Sequence, residues 1–397
     1  MIMDGVVDRA GVKGLAGKLG CDEGELDRYL VAEVGAGPRA LARAQRAQSA
    51  KLLLERTSLS VTKVAHAAGF TSTRQLGDTV KAIFGQTPTA LRRSVGGAQG
   101  YPTGSMCFRL EYRAPLSAQS LLGFLGTRAI AGLESYVGGN YRRSLRLPHS
   151  WGVADLTDAG DHIECRLVLG DLRDLSTAVQ RCRRLLDLDA DPVEVDEHLG
   201  GDRLLGPFVR LEPGQRVPGS VDGFELAVRA ILGQRVSVAG ARTSAGRVVA
   251  RYGEPLPMAS GEVTHLFPTP EDLSEAELDE VPLPNARGAV RALASKVAVG
   301  DIDLGHGADR EETRRRLLEL PGVGPWTAAY VAMRALGDPD VFLGGDLGIK
   351  RAFEKSGRAL PLSEMAILAE RWSPWRSYAT LYLWNSLQGA VRLSRVD

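Results

Sequence analysis

The chain has 397 residues, of which 44% are hydrophobic and 24% are charged, and its formal net charge is +1 at pH 7. This composition is typical of a globular protein, and the length predicts about two to four domains. Because there is no global excess of basic charge, any surface that binds nucleic acid has to come from local patches.

The cysteines and the apolar runs exclude several classes of protein. Four cysteines are present, far apart in the sequence and without a Cys-x-x-Cys pair: Cys21, Cys107, Cys165 and Cys182. This spacing argues against a zinc ribbon, an iron–sulfur cluster and a disulfide framework, and it favours a reducing compartment. No apolar run is long enough to span a bilayer, and no basic-then-apolar leader is present. We therefore expect a cytoplasmic protein without a membrane partner.

Residues 1–95 read as helices separated by glycine turns. Ser60 can cap a helix that ends at Gly69, and Thr71 or Ser72 can cap the helix that follows. Two helices joined by a glycine-centred turn predict a helix-turn-helix, whose second helix can enter the major groove of DNA. The residues at the start of this second helix can contact bases or phosphates: Ser72, Thr73, Arg74 and Gln75.

A second copy of the arrangement lies at Val12–Val34, with Gly20 at its turn, and a long helix over Ala40–Glu55 separates the copies. With the pieces at Ala65–Phe70 (AHAAGF) and Gly85–Arg92 (GQTPTALR), this pattern resembles the AraC-type DNA-binding domain. The recognition helix of the first copy carries acidic residues: Asp22, Glu23, Glu25 and Asp27. Because acidic side chains repel phosphates, we expect that copy to bind DNA weakly or not at all. The alternative is a helical bundle without a role in DNA binding.

A stretch rich in Gly and Ser, predicted as a linker over 96–105, leads into a segment of strands and helices at 106–203. Short strands separated by Pro, Gly and Asp turns, with helices at 117–130 and 175–188, predict a small α+β domain. No catalytic constellation is evident, and two isolated histidines are expected to be surface or hydrogen-bonded residues: His149 and His162. The segment resembles the α+β domain that precedes the catalytic domain in AlkA-type DNA-3-methyladenine glycosylases.

The segment 204–397 contains a tight turn between a helix that ends over Arg316–Glu319 and one that begins at Trp326. The turn consists of Leu320, Pro321, Gly322, Val323 and Gly324. Glycine can adopt positive φ, and the free N–H groups at the start of the second helix suit a phosphate. Read alone, this is an ordinary Gly-Pro turn. With its neighbours, it resembles the hairpin with which helix-hairpin-helix DNA glycosylases grip DNA.

The same resemblance assigns roles to four residues around this hairpin. Asp346 lies twenty positions after Trp326, where these glycosylases place their catalytic aspartate. A carboxylate at the sugar can stabilise the positive charge that develops when an N-glycosidic bond breaks, and it can orient a water. Trp326, Tyr330 and Trp384 match the aromatic residues of the base pocket, and flat aromatics suit an extruded, electron-poor base. The alternative for each aromatic is an ordinary core residue.

Two further features come from the resemblance. Val221–Gly246 contains a second glycosylase motif, in which Gln234 and Arg235 stand where a wedge fills the gap left by the flipped nucleotide. Glutamine followed by leucine or glutamine is usual there, so Arg235 is a departure from the family pattern. The hairpin also implies a monovalent cation, Na⁺ or K⁺, held by the backbone carbonyls of Leu318, Leu320 and Val323. No other cofactor is expected to be required.

The complete chain resembles the bacterial Ada/AlkA-type fusions. We expect an all-α double helix-turn-helix at 1–95, then the linker, the α+β domain at 106–203, and an all-α helix-hairpin-helix glycosylase domain at 204–397. Such fusions normally begin with a four-cysteine zinc domain that accepts methyl groups, and this sequence has none of its cysteines. The chain is then either a truncated form or a lineage without that sensor.

The expected activity follows from the glycosylase half. Bifunctional glycosylase/lyases carry a lysine two residues after the last hairpin glycine, where this chain has Trp326. The resemblance therefore implies a monofunctional enzyme that excises alkylated purines, of the 3-methyladenine and 7-methylguanine type, from double-stranded DNA. We expect a monomer in the bacterial nucleoid. The alternative is a transcriptional regulator of the alkylation response whose glycosylase half is inactive.

Overall fold

The structure is a computed structural model that describes residues 1–57, 59–94, 105–278 and 286–388. The predicted linker, 96–105, lies outside the described residues except for its last residue. The chain forms two compact units, each built from several stretches. The first unit comprises Met1–Leu110, Arg142–Cys182 and Pro255–Leu266, and the second comprises Glu111–Tyr141, Arg183–Glu254 and the chain from Phe267 onward. The units are defined by packing, so the predicted domain boundaries remain predictions.

The N-terminal region is helical, as predicted. Its helices are α1 (Val6–Lys18), α2 (Glu23–Val34), α3 (Pro38–Arg56), α4 (Val61–Ala67), α5 (Thr73–Phe84) and α6 (Pro88–Ser94). The Ser60 hydroxyl accepts the Lys63 amide at the start of α4, and Ser72 rather than Thr71 caps α5 by accepting the Gln75 amide. Gly69, between α4 and α5, has the left-handed φ of 77° that its turn requires. The two predicted helix-turn-helix copies are therefore confirmed.

Helix α3 is the centre of this region, and its buried face is made of small and aliphatic residues: Ala42, Ala47, Ala50, Leu53 and Leu54. Because alanine has a short side chain, the helices on either side can approach the α3 backbone closely. Helices α1, α4, α5 and α6 all pack on α3. The helix predicted over Ala40–Glu55 thus serves as the scaffold of both copies.

An antiparallel sheet follows, in the order β1-β5-β4-β3-β2. Its strands are β1 (Ser105–Leu110), β2 (Glu134–Val137), β3 (Asn140–Arg146), β4 (Trp151–Asp158) and β5 (Ile163–Leu169). Cys165 of β5 is central, because it pairs with Phe108 of β1 on one side and with Leu156 of β4 on the other. Helices α7 (Ala118–Thr127) and α8 (Leu175–Leu185) complete the predicted α+β pattern. The short strand β2 was not predicted.

The remaining chain is mainly helical. Its helices are α9 (Pro192–Gly200), α10 (Gly206–Leu211), α11 (Gly223–Leu232), α12 (Val238–Tyr252), α13 (Pro270–Glu275), α14 (Arg287–Ala298), α15 (Arg310–Leu318), α16 (Pro325–Arg334), α17 (Leu347–Lys355), α18 (Leu362–Ala369) and α19 (Arg376–Gln388). A two-stranded ribbon, β6 (Glu254–Ser260) and β7 (Val263–Leu266), interrupts them and corrects the expectation of a purely helical segment. Pro255 and Pro257 obscured the ribbon in the sequence, since proline is depleted in strands other than edge strands.

Helix α11 is the central element of the helical region. The Asp222 side chain caps it by accepting the Glu225 amide, as predicted, and α11 packs against α12, α14 and α16. Eight of its residues are buried, including the predicted stripe of Phe224, Val228, Ile231 and Leu232. Because α11 is enclosed on several sides, the loop at its C-terminal end starts from a fixed position.

A buried ionic network also fixes α11. The Arg229 guanidinium donates to Glu134 Oε1 at 2.9 Å and to Glu225 Oε1 at 2.8 Å, and the Tyr141 hydroxyl donates to Glu134 at 2.6 Å. Burial alone would lower the pKa of Arg229, but the two carboxylates outweigh it and raise that pKa well above its usual value. The network ties α11 to strands β2 and β3.

None of the helices in the described ranges combines the length and the hydropathy needed to cross a bilayer. The two isolated histidines have carboxylate partners, since the Nδ1 atom of His149 lies 2.7 Å from Asp174 and that of His162 lies 2.5 Å from Asp161. Both are therefore hydrogen-bonded residues, in line with the sequence-based expectation.

Candidate active site

The hairpin lies between α15 and α16. Helix α15 ends at Leu318, the Val323 amide donates to the Leu320 carbonyl at 3.2 Å, and α16 begins at Pro325. Gly322 has a φ of 81°, a backbone conformation that residues with a Cβ rarely adopt. Leu320 and Val323 are buried, whereas Pro321 and Gly322 are exposed. The tip of the turn therefore faces solvent while its two apolar residues anchor it to the core.

Gly324 is the N-cap of α16, and no side chain caps this helix. The first N–H groups of a helix have no partner inside the helix, and the helix dipole makes that end positive. The start of α16 can therefore accept an anionic group such as a DNA phosphate.

Asp346 is held by donors on three sides. It is the N-cap of α17, where its Oδ1 atom accepts the Ile349 amide at 3.0 Å. The same oxygen accepts the indole N–H of Trp384 at 2.9 Å, and Oδ2 accepts the indole N–H of Trp326 at 3.2 Å. Hydrogen bonds to an ionised acceptor are stronger than neutral ones, so these contacts fix the direction of the carboxylate.

The two indoles that contact this carboxylate belong to a cluster of four aromatic rings. Trp326 stacks on Tyr330 with ring centroids 5.1 Å apart and an interplanar angle of 13°. Tyr330 lies 6.4 Å from Trp384, and Phe124 of α7 stacks on Trp384 at 6.2 Å and 16°. Phe124 is buried, whereas the other three rings are partly exposed. The predicted aromatic residues and Asp346 thus lie together, and their rings offer flat faces on which a base can stack.

Two arginines lie behind the rings. The Arg128 guanidinium carbon is 3.7 Å from the centroid of Phe124, and burial lowers the pKa of Arg128 to about 10 although Tyr330 favours its charged form. Arg334 donates to the Tyr330 hydroxyl at 2.6 Å and to the Gly219 carbonyl at 3.2 Å. Burial also lowers the pKa of Arg334. The aromatic wall is therefore braced from behind by cationic side chains with protein partners.

Comparisons with known proteins identify the family of the chain. The profile of the "AlkA N-terminal domain" matches residues 107–222, and that of a "Helix-turn-helix domain" matches residues 15–94. Over 395 residues, 98% of this chain and 80% of the relative, the sequence is 48% identical to the "Probable bifunctional transcriptional activator/DNA repair enzyme AlkA" of Mycobacterium tuberculosis. The chain belongs to the AlkA family. It is a DNA glycosylase joined to an AraC-type helix-turn-helix domain.

A further relative and two solved structures match the glycosylase part of the chain. "DNA-3-methyladenine glycosylase 2" of Escherichia coli is 35% identical over 284 residues, which are 70% of this chain and 96% of that protein. The 3-methyladenine DNA-glycosylase of Archaeoglobus fulgidus has a TM-score of 0.62 at 22% identity, covering 71% of this chain and 98% of that one. The 8-oxoguanine glycosylase/lyase of Clostridium acetobutylicum, solved with double-stranded DNA, has a TM-score of 0.58 at 17% identity, covering 72% and 96%. At these identities, the two structures show a shared fold alone.

The two residues of the predicted wedge have different environments. The Gln234 side-chain amide donates to the Gly322 carbonyl at 3.0 Å and to the Thr327 hydroxyl at 2.7 Å. Arg235 is exposed and has a φ of 57°, one of the few positive values at a residue other than glycine in the described chain. One member of the predicted pair is thus engaged with the hairpin, and the other stands at the tip of its loop.

The four predicted contact residues of α5 also differ in how far their side chains are engaged by hydrogen bonds within the protein. Ser72 caps α5, and the Gln75 side-chain oxygen accepts both the amide and the hydroxyl of Thr71 at 3.0 Å. Thr73 is exposed, and the Arg74 side chain is 92% exposed, with Asp78 at 3.9 Å. In the first copy, Asp22 caps α2 by accepting the Glu25 amide. Two of the four predicted contact residues therefore also shape the start of α5.

Sequence reasoning missed two side chains of the site, Phe124 and Arg128. Both lie in or next to α7, about 200 positions before Trp326 in the chain. Both side chains belong to the segment 106–203, in which no catalytic constellation was evident from the sequence. No local signal marks these residues, because Phe124 reads as one more apolar position of an amphipathic helix.

Within the described residues, no group of three or more His, Cys, Asp or Glu side chains is placed to hold a metal ion.

Proposed function

We propose that this enzyme excises alkylated purines, of the 3-methyladenine and 7-methylguanine type, from double-stranded DNA by hydrolysing the N-glycosidic bond. The observation that carries the proposal is the carboxylate of Asp346, which accepts two indole N–H groups from a cluster of stacked aromatic side chains. Such a site combines a surface that binds a flat base with an anion that faces a developing positive charge.

The reaction begins with extrusion of the damaged nucleotide, since the atoms of the glycosidic bond cannot be reached inside the duplex. An alkylated purine is electron-poor and often cationic, so the π faces of Trp326, Tyr330 and Trp384 favour it over a normal base. As the bond breaks, the sugar gains oxocarbenium character, which the Asp346 carboxylate stabilises while it orients the attacking water. A cationic base is already a good leaving group and needs no strong general acid.

Replacing Asp346 with asparagine tests this mechanism. Asparagine also caps helices well, so Asp346→Asn keeps the start of α17, removes the charge and replaces one of the two acceptor oxygens with an NH2 group. We expect single-turnover base release to fall by at least about 100-fold, the scale of one preorganised electrostatic contact, with damaged-DNA binding retained. The matched control is Asp309→Asn, the same change at the N-cap of α15. An Asp346→Asn enzyme with unchanged base release would overturn the role of the carboxylate.

We also propose that the enzyme is monofunctional. A lyase needs an amine for its Schiff base, and the residue two positions after Gly324 is Trp326, whose indole nitrogen donates to Asp346. Methylated DNA treated with the enzyme should stay intact until alkali is added, and borohydride should trap no covalent adduct. Strand breaks without alkali, together with a trapped adduct, would show a lyase.

The hairpin is proposed as the DNA anchor. Gly324 offers a clean test because its φ is −96° and a Cβ placed there meets no atom within 4 Å. Aspartate is a favourable N-cap, so Gly324→Asp preserves α16 while it repels a phosphate. We expect the affinity for undamaged duplex to fall at low salt, and the uncharged Gly324→Asn to bind like the wild type. Equal affinities of the two variants would exclude the hairpin as the anchor.

A monovalent cation at this hairpin is a further proposal. The carbonyls of Leu318, Leu320 and Val323 are oxygen donors, which suit a hard cation, and a carbonyl has a second lone pair available beyond one hydrogen bond. If Na⁺ or K⁺ is held there, DNA affinity at constant ionic strength should fall when tetramethylammonium replaces the alkali ion. Equal affinity in both salts would contradict the cation site.

The helix-turn-helix domain is proposed to add modest, salt-sensitive DNA affinity with little promoter specificity. The observation behind this is the difference between the copies, since α5 exposes Arg74 while the first turn of α2 carries Glu23 and Glu25. Footprinting and salt titration of full-length Asp346→Asn protein on candidate repair promoters should show diffuse binding that is lost near physiological salt. A discrete footprint of two half-sites would instead support a role of this domain in transcriptional regulation. Normal base release by the wild-type protein would show that the glycosylase half is active as well. A monomer in solution is expected throughout.

A further inference from the structure

The loop between α11 and α12 is fixed at both ends and exposed in its middle. At its start the Gln234 amide donates to the Ile231 carbonyl at 3.2 Å, and at its end the Ser237 hydroxyl accepts the Gly240 amide at 3.1 Å. Between these points Arg235 and Val236 are exposed, the valine by 45%. The loop therefore presents two adjacent side chains on a short, defined backbone.

The Gln234 side chain uses its donors inside the protein. A side-chain amide has two N–H hydrogens, and the two acceptors within reach of Gln234 are the Gly322 carbonyl and the Thr327 hydroxyl. Thr327 is only 3% exposed, and it follows directly after Trp326 in the first turn of α16. One side chain thus bridges from the loop to the exposed tip of the hairpin and to the helix that carries two pocket aromatics.

We propose that Gln234 is a positioning residue, which locks the loop to the hairpin so that Arg235 enters the duplex at a fixed offset from the phosphate that the hairpin holds. The inference rests on the proposed glycosylase function. On this proposal the Gln234 amide does not contact DNA and instead braces the loop from inside the protein. Arg235 and Val236 are then the residues of the loop that reach the DNA.

The bridge explains why an arginine can serve at the tip of this loop. A flexible, charged side chain fills a gap in a base stack only if its backbone is held in place, because otherwise ordering the chain adds to the cost of insertion. The left-handed φ of Arg235 requires support from the surrounding structure, since residues with a Cβ avoid this conformation. The bridge supplies that support from the hairpin side.

A double-mutant cycle between Gln234 and Thr327 tests the proposal. The variants are Gln234→Ala, Thr327→Val and the double substitution, with Thr327→Ser as the control that keeps the hydroxyl. Insertion is followed by the fluorescence of 2-aminopurine placed opposite a stable abasic-site analogue in a duplex, which requires no catalysis. Single-turnover release of 7-methylguanine and the affinity for undamaged duplex are measured beside it.

A brace predicts a specific pattern. Gln234→Ala and Thr327→Val should each reduce the insertion signal and the rate of release by up to about tenfold, the scale of one or two hydrogen bonds. The double variant should be no worse than the more affected single variant, since both changes break the same bridge. Thr327→Ser should match the wild type, and affinity for undamaged duplex should change by less than about twofold, because no phosphate contact is lost.

Two results would overturn the brace. One is additive effects of the single variants, which would mean that they act independently. The other is a loss of DNA affinity in Gln234→Ala with Thr327→Val silent, which would restore the amide as a DNA contact. Gln234→Glu tests whether misfolding explains the losses, because glutamate keeps the size of the side chain. Its carboxylate cannot donate to the Gly322 carbonyl. The insertion signal and the release rate of Gln234→Glu should therefore be reduced as much as those of Gln234→Ala. If the wild-type protein releases no base but the variants still change the 2-aminopurine signal as expected, the proposed function is wrong and the role of Gln234 as a brace is supported.

Discussion

The pocket region and the recognition helix α5 both use arginines and carboxylates, but they treat these charges in opposite ways. In the ionic network of α11, the side chains of Arg229 and Glu134 are 20% and 1% exposed, whereas those of Arg74 and Asp78 on α5 are 92% and 79% exposed. A site that acts on one bond needs groups fixed before the substrate arrives. A surface that contacts phosphates can leave its arginine mobile, because the DNA supplies the partner.

The largest effect is expected from breaking the buried network. In Arg229→Met two buried carboxylates, Glu134 and Glu225, lose their ion pairs with Arg229. Removing one partner of a buried ionic group costs about 3–5 kcal/mol of unfolding free energy. Urea unfolding of the two proteins measures the difference.

The matched control is Arg74→Met on α5, where the side chain is almost fully exposed. Surface substitutions usually change stability by less than about 0.5 kcal/mol. If both variants lost the same unfolding free energy, the buried and exposed arginines would not differ in their contribution to stability.

A buried carboxylate near the C-terminal helix gives a pH-dependent test. Asp187 accepts the Tyr378 hydroxyl at 2.8 Å, and burial raises the pKa of Asp187 to about 6 although this hydrogen bond opposes the shift. The folded protein therefore holds the proton more tightly than the unfolded chain. Stability from this group is fully present below the ordinary aspartate pKa and is lost as the pH rises through about 6.

Asp187→Asn removes this titration, and asparagine tolerates the positive φ of 50° at that position. Between pH 4 and pH 7 we expect the unfolding free energy of the wild type to fall relative to the variant by on the order of 2 kcal/mol. Other carboxylates titrate in both proteins, so the difference between the two curves is the quantity to measure. A constant difference across this range would show that Asp187 is ionised throughout.

The next effect concerns the orientation of the Asp346 carboxylate, which is proposed to act in catalysis. Trp384→Phe keeps a ring against Phe124 and removes the N–H that donates to Asp346 Oδ1. We expect single-turnover base release to fall by about 10- to 100-fold, the equivalent of one charge-assisted hydrogen bond. Trp375→Phe is the control, since that ring packs edge-on against Tyr378 and is not one of the pocket rings. If the two variants release base equally fast, the indole does not orient Asp346.

The smallest effect is expected at α5. Arg74→Ala should reduce the slope of log affinity against log salt by about one unit on any duplex, as for a single lost phosphate contact. Base release should be unchanged, because Arg74 is outside the group of residues around Asp346. A change in sequence preference instead of the salt slope would show that Arg74 contacts a base edge.

The features that could be predicted from the sequence are local ones. Ser60 and Asp222 stand directly before the helices that they cap, and glycine marks the turns, so helices and the hairpin followed from short windows of sequence. The cluster of Asp346 with Trp326, Tyr330 and Trp384 was expected from the family resemblance, and the structure brings these four together.

The features that the sequence did not predict depend on contacts between positions that are far apart in the chain. Phe124 reaches Trp384 across 260 positions of the chain, and the amide of Gln234 meets the hairpin 88 positions away. Nothing in the neighbouring residues signals such partners, because they are chosen by packing rather than by local backbone preference. The ribbon β6–β7 escaped for the opposite reason, since its prolines give a misleading local signal.

The position of Asp346 at the first turn of α17 has an evolutionary consequence. In the proposed mechanism one side chain both starts a helix and carries the charge for the reaction, so most substitutions there are expected to damage folding and activity together. Asparagine is the exception, because it still caps the helix, and a single nucleotide change converts an aspartate codon to it. A lineage that abandoned repair and kept only the DNA-binding half would have an accessible path through this substitution.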